Sequence, residues 1–269
     1  MKKISLSLFL FTLLFYSCKY TQVIYTAPSS ADIKSDSSYY KYENDTLRVV
    51  YSFWRANGLM SFMIYNKLDI PIYIDWKKSS YIDKSMKLDY YSEKESKTWV
   101  AETESYVYNN PINWLNIFGP TIISGSVGSS TSVKEERITF IPPKSYIFRG
   151  FYKIFPNQHF VVTKENKKEI PVSEGSTKTF PAYVLTAEKS NSSLIFRNFL
   201  TYSTKENFEK ESYVNDEFYV RKVLTMRQKY FYNLYGPLSP SEPTQWGSNY
   251  EDPRRFYIPN LNSEEIFSK

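Results

Sequence analysis

Hydrophobic side chains alternate with polar ones along the chain after residue 45, and this pattern predicts β-strands. In residues 46–55, a large hydrophobic residue stands at every second position from Leu47 to Phe53, which is the period of a strand with one buried face. Asn57 and Gly58 follow, and an Asn-Gly pair between two alternating runs favours a β-hairpin. The chain is therefore predicted to reverse here and continue as a second strand.

The returning strand and the run after it keep the same period. Met60, Phe62 and Ile64 share one face of residues 59–66, and residues 72–76 alternate in the same way. We predict that these three runs form a three-stranded meander. The remaining predicted strands are at residues 87–91, 98–108, 137–141, 146–152, 160–163, 169–172, 182–188, 194–202 and 217–224. Two hairpins are predicted, one joining 160–163 to 169–172 and the other joining 182–188 to 194–202. One short helix is predicted at residues 226–234.

Strands at short intervals without alternating helices favour a sandwich or a barrel over an α/β fold. The composition agrees, because 18% of the residues are aromatic, with 25 Tyr and 19 Phe, and such residues favour pleated, half-buried surfaces. We predict an all-β antiparallel β-sandwich, elaborated with extra hairpins and one short helix near the C-terminus, as a single domain over residues 46–235. Most rings are expected to pack in the core, and an exposed row of rings that binds a glycan is the alternative.

One long segment departs from this pattern. Residues 106–133 form a loop without a charged residue, and the loop carries an apolar cluster of Trp114, Leu115, Ile117 and Phe118. This cluster can pack against the domain, contact a partner protein or enter the surface of a bilayer. We single it out as the candidate contact with a partner or a membrane.

Both flanks of the predicted domain lack hydrophobic periodicity. Residues 18–45 are polar and rich in Ser, Asp and Tyr, and we predict a tether with one early strand at residues 22–25. Residues 236–269 hold five of the fourteen prolines and are predicted to form an extended or disordered tail.

The first residues resemble the leader of a bacterial lipoprotein. Two lysines precede an apolar run over residues 4–16, which ends at Ser17 and Cys18 and is shorter than the ~20 apolar residues that span a bilayer. The resemblance implies that residues 1–17 are a signal peptide. It also implies a lipid on Cys18, the only cysteine, which anchors the protein in the outer membrane facing the periplasm. Ordinary secretion and an uncleaved anchor are the alternatives, since only Ser17 and Cys18 match the strict lipoprotein cleavage pattern.

No motif in the sequence points to catalysis or to a cofactor. His159 is the only histidine, which excludes sites built from several histidines, and a lipid on Cys18 would remove the thiol as a nucleophile. The sequence contains neither a Gly-rich phosphate loop nor a Gly-x-Ser-x-Gly elbow, although two carboxylates could still converge as a glycosidase pair. The net charge of +6 is scattered along the chain, which argues against nucleic acid binding. We therefore expect no enzyme, no cofactor and no metal ion.

Two stretches resemble a known group of proteins. Residues 64–82 read IYNKLDIPIYIDWKKSSYI, and residues 138–147 read ITFIPPKSYI. Both resemble uncharacterised lipoproteins of Bacteroidota and wider groups of bacterial extracytoplasmic Ig-like modules. The resemblance implies an Ig-like β-sandwich on a lipid-anchored envelope protein and transfers no catalytic residue, because the shared motifs are structural. We expect a non-enzymatic module that binds or supports another envelope component; the alternative is a carbohydrate-binding lipoprotein with exposed aromatic rings.

Overall fold

The computed structural model describes residues 19–35, 39–91, 107–108, 121–122, 136–155, 158–173, 175–235 and 254–267. Within these ranges the chain is mostly β-structure, and its two large antiparallel sheets pack face to face around a shared core. The predicted all-β antiparallel sandwich with a short helix near the C-terminus is confirmed.

In chain order, the described strands are β1 (Tyr20–Pro28), β2 (Ile33–Ser35), β3 (Tyr40–Glu43), β4 (Leu47–Ser52), β5 (Leu59–Asn66), β6 (Ile72–Asp83), β7 (Met86–Asp89), β8 (Val107–Tyr108), β9 (Thr121–Ile122), β10 (Ile138–Ile141), β11 (Tyr146–Lys153), β12 (Lys167–Pro171), β13 (Thr179–Thr186), β14 (Ile195–Ser203), β15 (Ser212–Arg227) and β16 (Arg255–Leu261). The described α-helices are α1 (Gln228–Tyr235) and α2 (Ser263–Ile266), and two short 3-10 helices lie at Lys164–Asn166 and Lys189–Asn191.

The larger sheet has nine strands in the part of the chain that the structure describes, and the long β15 organises it. Its main path runs β10-β6-β14-β15-β1-β16, with β7 beside β6 and β12 beside β13. β14 and β13 follow one another along one edge of β15, because β14 pairs with residues 212–219 and β13 with residues 222–226. The smaller sheet runs β11-β5-β4-β3-β2, and β8 and β9 form a separate pair.

An aromatic layer fills the space between the two sheets. Tyr51 and Phe53 come from the side of the smaller sheet, Phe196 and Phe218 from the larger one, and all four are fully buried. Phe218 lies 5.1 Å from Phe53 and 4.9 Å from Tyr51 between ring centroids, both edge to face. Burial of one such side chain stabilises a fold by roughly 1.5–3 kcal/mol. The predicted inner face is confirmed at the remaining alternating positions, which are all buried: Leu47, Val49, Met60, Phe62, Ile64, Ile72, Ile74 and Trp76.

A second, smaller core lies on the other face of the larger sheet. Val23 of β1 and Leu224 and Met226 of β15 form it, and Phe231 of α1 packs against them. Neighbouring residues of a strand point to opposite faces, so Val23 contributes to this core and Ile24 to the aromatic layer. β1 is therefore buried on both faces.

The predicted three-stranded meander is wrong at its third strand. β5 has the predicted bounds and pairs with β4, but β6 pairs with β10 and β14 in the other sheet. Asn66 supports this crossing, since its side-chain amide donates hydrogen bonds to the carbonyl oxygens of Ile70, Ile141 and Pro142. Alternation could not reveal the crossing, because the strands of both sheets turn their hydrophobic residues toward the same core.

The two predicted later hairpins are also paired differently. Residues 167–171 pair with residues 179–183 instead of residues 160–163. β13 and β14 both pair with β15, whose 16 residues give enough edge for two successive partners. Closeness in sequence was therefore a poor guide to pairing in this half of the chain.

Residues 18–45, predicted to be a tether, instead supply three strands. β1 lies inside the larger sheet, and β2 and β3 belong to the smaller one. Gln22 is as fully buried as Val23 and Ile24. Its Nε2 atom donates to the carbonyl oxygen of Phe160 at 2.6 Å, and its Oε1 atom accepts from the Phe160 N–H at 2.9 Å. The early strand predicted at residues 22–25 lies within β1, but its full length was not predicted, because a strand buried on both faces shows no alternation of hydrophobic and polar residues.

Residues 236–269, predicted to be an extended or disordered tail, include the edge strand of the larger sheet. Residues 255–261 form β16, which pairs with β1 and buries Phe256 and Ile258. Pro259 is compatible with this position because an edge strand has backbone groups that need no partner in the sheet. The prediction is therefore wrong for the part of this segment that the structure describes.

We expect Gly58→Ala to destabilise the fold more than Gly175→Ala. Both glycines have positive φ, +67° and +76°, so alanine strains the backbone at either position by roughly 1–2 kcal/mol. At Gly58 a Cβ atom would also lie 2.9 Å from Cγ of Phe256 and 3.1 Å from Cβ of Ile154. At Gly175 none of the described atoms lies within 4 Å of that position. Urea unfolding measures both losses, and equal losses would contradict close packing of the β4–β5 turn on β16.

Candidate binding surfaces

The sites that the sequence predicted lie outside the described residues. This holds for Cys18 and for the apolar cluster of Trp114, Leu115, Ile117 and Phe118. The lipid anchor and the partner contact therefore stay predictions.

His159 lies half-buried beside the core residue Phe160. Among the residues with described positions, no three His, Cys, Asp or Glu side chains gather as a metal site requires. In the same part of the chain, no helix has the length and apolar character needed to cross a bilayer. Two other regions of the fold have the shape and chemistry of binding surfaces.

The first region is the outer face of the larger sheet, where two pairs of aromatic rings lie. Tyr73 of β6 and Phe140 of β10 are cross-strand neighbours with ring centroids 5.7 Å apart. Phe199 of β14 and Tyr213 of β15 stack at 5.5 Å with an interplanar angle of 24°. Phe140 and Tyr213 are 51% and 52% exposed, so these rings differ from the buried aromatic layer and can contact a ligand.

Strand alternation explains why these rings face outward. Ile72, the neighbour of Tyr73, points into the core, so Tyr73 points away from it. On the same face, Glu211 forms a salt bridge with Lys78 and accepts a hydrogen bond from the Tyr213 hydroxyl at 2.9 Å. The outer face therefore combines exposed rings with charged and hydrogen-bonding groups.

The second region is a cavity of about 150 Å³ at the seam between the two sheets. It lies where β1 and the start of β16 approach β2 and β3 of the smaller sheet. Arg221, Arg254 and Arg255 line it together with Tyr25 and Ser35. Three of its nine described lining residues are arginines.

Sequence reasoning missed this arginine-lined cavity because its residues are far apart along the chain. The signals that could have pointed to it are two adjacent basic pairs, at residues 221–222 and 254–255. Strand pairing brings them together, since Tyr25 is opposite Lys222 on β15 and opposite Arg255 on β16. No local sequence pattern predicts that these two basic pairs lie side by side in the fold.

A third feature, a chain of hydrogen bonds, crosses the aromatic layer at Tyr51. The Tyr51 hydroxyl donates to Oδ2 of Asp216 at 2.6 Å and accepts from Nδ2 of Asn198 at 3.0 Å. Tyr90 donates to Oδ1 of Asn198 at 2.8 Å. Burial raises the pKa of the Asp216 carboxyl to about 7, and the hydrogen bond from Tyr51 opposes that shift. Asp216 is only 2% exposed. This chain of hydrogen bonds therefore links the two sheets and does not form a surface site.

Comparison with known proteins adds no assignment for these surfaces. No protein-family model matches the chain, and no curated protein or solved structure matches it. What the chain does has to follow from its own residues and geometry.

We expect Asp216 to make the fold less stable as the pH rises from about 4 to about 7. The pKa of its carboxyl is raised from 3.8 to about 7 in the folded protein, so across this window the folded state holds a proton that the unfolded state releases. The free energy of unfolding therefore decreases with rising pH, and each pKa unit corresponds to about 1.4 kcal/mol.

Urea unfolding of the protein and of Asp216→Asn at pH 4.5 and pH 7.5 measures this contribution. The difference between the two proteins isolates Asp216 from acids such as Glu43, whose pKa is lowered to about 2, chiefly by a hydrogen bond from Arg48. The control is Asp89→Asn, which removes a carboxylate with 54% side-chain exposure. The expectation fails if Asp216→Asn and Asp89→Asn show the same pH dependence.

Proposed function

We propose that the chain is a lipid-anchored protein of the cell envelope whose β-sandwich is a non-enzymatic binding or structural module. The supporting observation is the position of β1, which begins at Tyr20, two residues after Cys18. A lipid on Cys18 would be separated from the larger sheet by Lys19 alone. The anchor would therefore hold the sandwich directly at the membrane, on the periplasmic face of the outer membrane that the leader resemblance implies.

The proposed anchor would select the end of the sandwich that faces the bilayer. Tyr20 pairs with Arg227 of β15 and with Leu261 of β16, so these residues share the membrane-proximal end. Nζ of Lys19 donates a hydrogen bond to Oδ1 of Asn262 at 2.7 Å, which ties the residue after Cys18 to this end. Lys19 and Arg227 add positive charge there, and such charge is attracted to anionic lipid headgroups.

The non-enzymatic part of the proposal is supported by the absence of a catalytic motif from the sequence. Asp216, the acid whose pKa is raised to about 7, lies in the core and contacts Tyr51. We propose another envelope protein as the partner of the module. The apolar cluster within residues 114–118 remains the proposed contact with that partner or with the membrane.

Carbohydrate binding is the second candidate function, and the outer face of the larger sheet supports it. Most of the described aromatic rings are buried, which favours packing as the main reason for the aromatic composition. The pairs Tyr73–Phe140 and Phe199–Tyr213 are exceptions with exposed ring surface. The apolar C–H face of a sugar can pack on such rings while its hydroxyl groups pair with nearby charged side chains.

We expect Cys18→Ala to release the protein from the membrane, because the alanine cannot carry a thioether-linked lipid. Fractionation of cells that express each form measures the release, and mass spectrometry of the unsubstituted protein tests for the lipid. Both forms should unfold at the same temperature, since Cys18 precedes β1. A protein without added lipid mass, or a Cys18→Ala variant that stays in the membrane fraction, would contradict the anchor.

If the outer face binds a glycan, Tyr213→Ala should weaken retention by an immobilised polysaccharide about 2–10-fold, because a packed ring contributes about 0.5–1.5 kcal/mol. Affinity electrophoresis against a panel of polysaccharides measures the retention. Tyr232→Ala is the matched control, since Tyr232 is a 38% exposed tyrosine on α1. Identical mobility of both variants and the unsubstituted protein in every gel would rule out this face as the glycan site.

A further inference from the structure

We propose that the arginine-lined cavity binds a tetrahedral oxyanion, the phosphate or sulfate group of a monoester. This site goes beyond the anchored role proposed above and does not depend on a lipid at Cys18. Guanidinium groups carry several N–H donors in a fixed plane, which match the oxygens of phosphate and sulfate with more than one hydrogen bond.

A β-bulge places the first arginine at the cavity. Tyr25 of β1 pairs with Lys222 of β15, and the next residue, Thr26, pairs with Val220. Arg221 is therefore the extra residue between two pairs. A bulge re-aims the side chain of its extra residue, and bulges are enriched next to functional sites. The side chain of Arg221 is exposed and lines the cavity.

The start of β16 positions the other two arginines. The carbonyl oxygen of Arg254 accepts two hydrogen bonds from Thr26, from its N–H at 3.2 Å and from its hydroxyl at 2.7 Å. Nη1 of Arg254 lies 3.5 Å from Oγ of Ser35, so this side chain reaches toward the smaller sheet. Arg255 is opposite Tyr25 in the pairing of β1 with β16. Both arginines are half-buried, which limits the positions that their side chains can take.

Tyr25 gathers further positive charge beside the cavity. Its ring centroid lies 4.4 Å from Cζ of Arg255 and 4.9 Å from Nζ of Lys222. The Tyr235 hydroxyl shares hydrogen bonds with Tyr25 and Arg255, and burial raises the pKa of Tyr235. Four cationic side chains thus lie in or beside the cavity. At a partly buried seam the attraction between these charges and an anion is stronger than in open water.

The shape of the cavity favours one anionic group over a polymer backbone. A volume of about 150 Å³ accommodates one oxyanion and the adjoining part of the molecule that carries it. Nucleic acid binding needs basic residues along an extended stripe, whereas these arginines line a single cavity. A sugar phosphate, a sulfated sugar and a phosphorylated lipid headgroup all share the required chemistry.

Calorimetric titration with inorganic phosphate and inorganic sulfate tests the site, with chloride at equal ionic strength as the reference. The full chain is used as Cys18→Ala, so that no anchor can bind a vesicle and the result is independent of lipidation. Arg221→Gln and Arg254→Gln each remove one guanidinium group and keep the backbone contacts. Arg149→Gln on β11 is the matched control, because Arg149 lies over the ring of Trp76 at the opposite edge of the smaller sheet.

We expect saturable binding of phosphate or sulfate by the parent protein and by Arg149→Gln, weakened at least tenfold in Arg221→Gln and Arg254→Gln. Thermal unfolding in chloride checks that every variant is folded. If Arg254→Gln does not fold, Arg221→Gln alone tests the site, because Arg221 is exposed and its replacement leaves the core unchanged. A sugar phosphomonoester and vesicles of phosphatidylcholine with or without phosphatidic acid then distinguish a soluble carrier from a lipid headgroup. The proposal is overturned if phosphate and sulfate act only as chloride does, or if a folded Arg221→Gln binds as tightly as the parent.

Discussion

Strand β1 is the constraint on which the larger sheet depends, because it is hydrogen-bonded along both of its edges. β15 occupies one edge and β16 the other, so a strand near the start of the chain lies beside a strand near its end. Ile24 of β1 faces the aromatic layer, and Val23 faces the core beneath α1. Gln22 holds the backbone of Phe160 with two hydrogen bonds. Without β1, β16 would lose its partner strand, β15 would lose the partner along one edge, and both cores would be open to water.

The same strand connects the proposed anchor with the proposed anion site. Cys18 precedes one end of β1, and Tyr25 lies beside the arginine-lined cavity toward the other end. Tyr25 is five positions beyond Tyr20, the first residue of β1, which corresponds to roughly 17 Å at about 3.3 Å per residue of extended chain. Taken together, the two proposals describe a module that presents an arginine-lined cavity close to the membrane that carries it. A ligand could then come from that membrane or from the space beside it.

Most of the described aromatic rings pack in the core, and the tyrosines among them also form hydrogen bonds there. Tyr51 fills the layer between the sheets as a phenylalanine would, while its hydroxyl links Asp216 and Asn198 of the larger sheet. A buried carboxylate is costly unless it is hydrogen-bonded, and Asp216 accepts a hydrogen bond from Tyr51 and has a pKa raised to about 7, so that it is mostly protonated below neutral pH. On the outer face, Tyr213 and Phe140 are largely free of such packing, which separates rings that build the fold from rings that can meet a ligand.

The sequence by itself determined those features that depend on neighbours in the chain. Alternation identified the inner faces of β4, β5 and β6, and the turn at Gly58 marked where the chain reverses. Alternation tells which face of a strand is buried but not which strand lies beside it, so the crossing of β6 to the other sheet was not predicted. The strand predicted at residues 22–25 covered only part of β1, because burial on both faces leaves no alternation there. β16 was not predicted, because Pro259 within it argued against a strand. Only the tertiary structure could bring Arg221 and Arg254 to one cavity, because pairing between strands distant in sequence sets their separation.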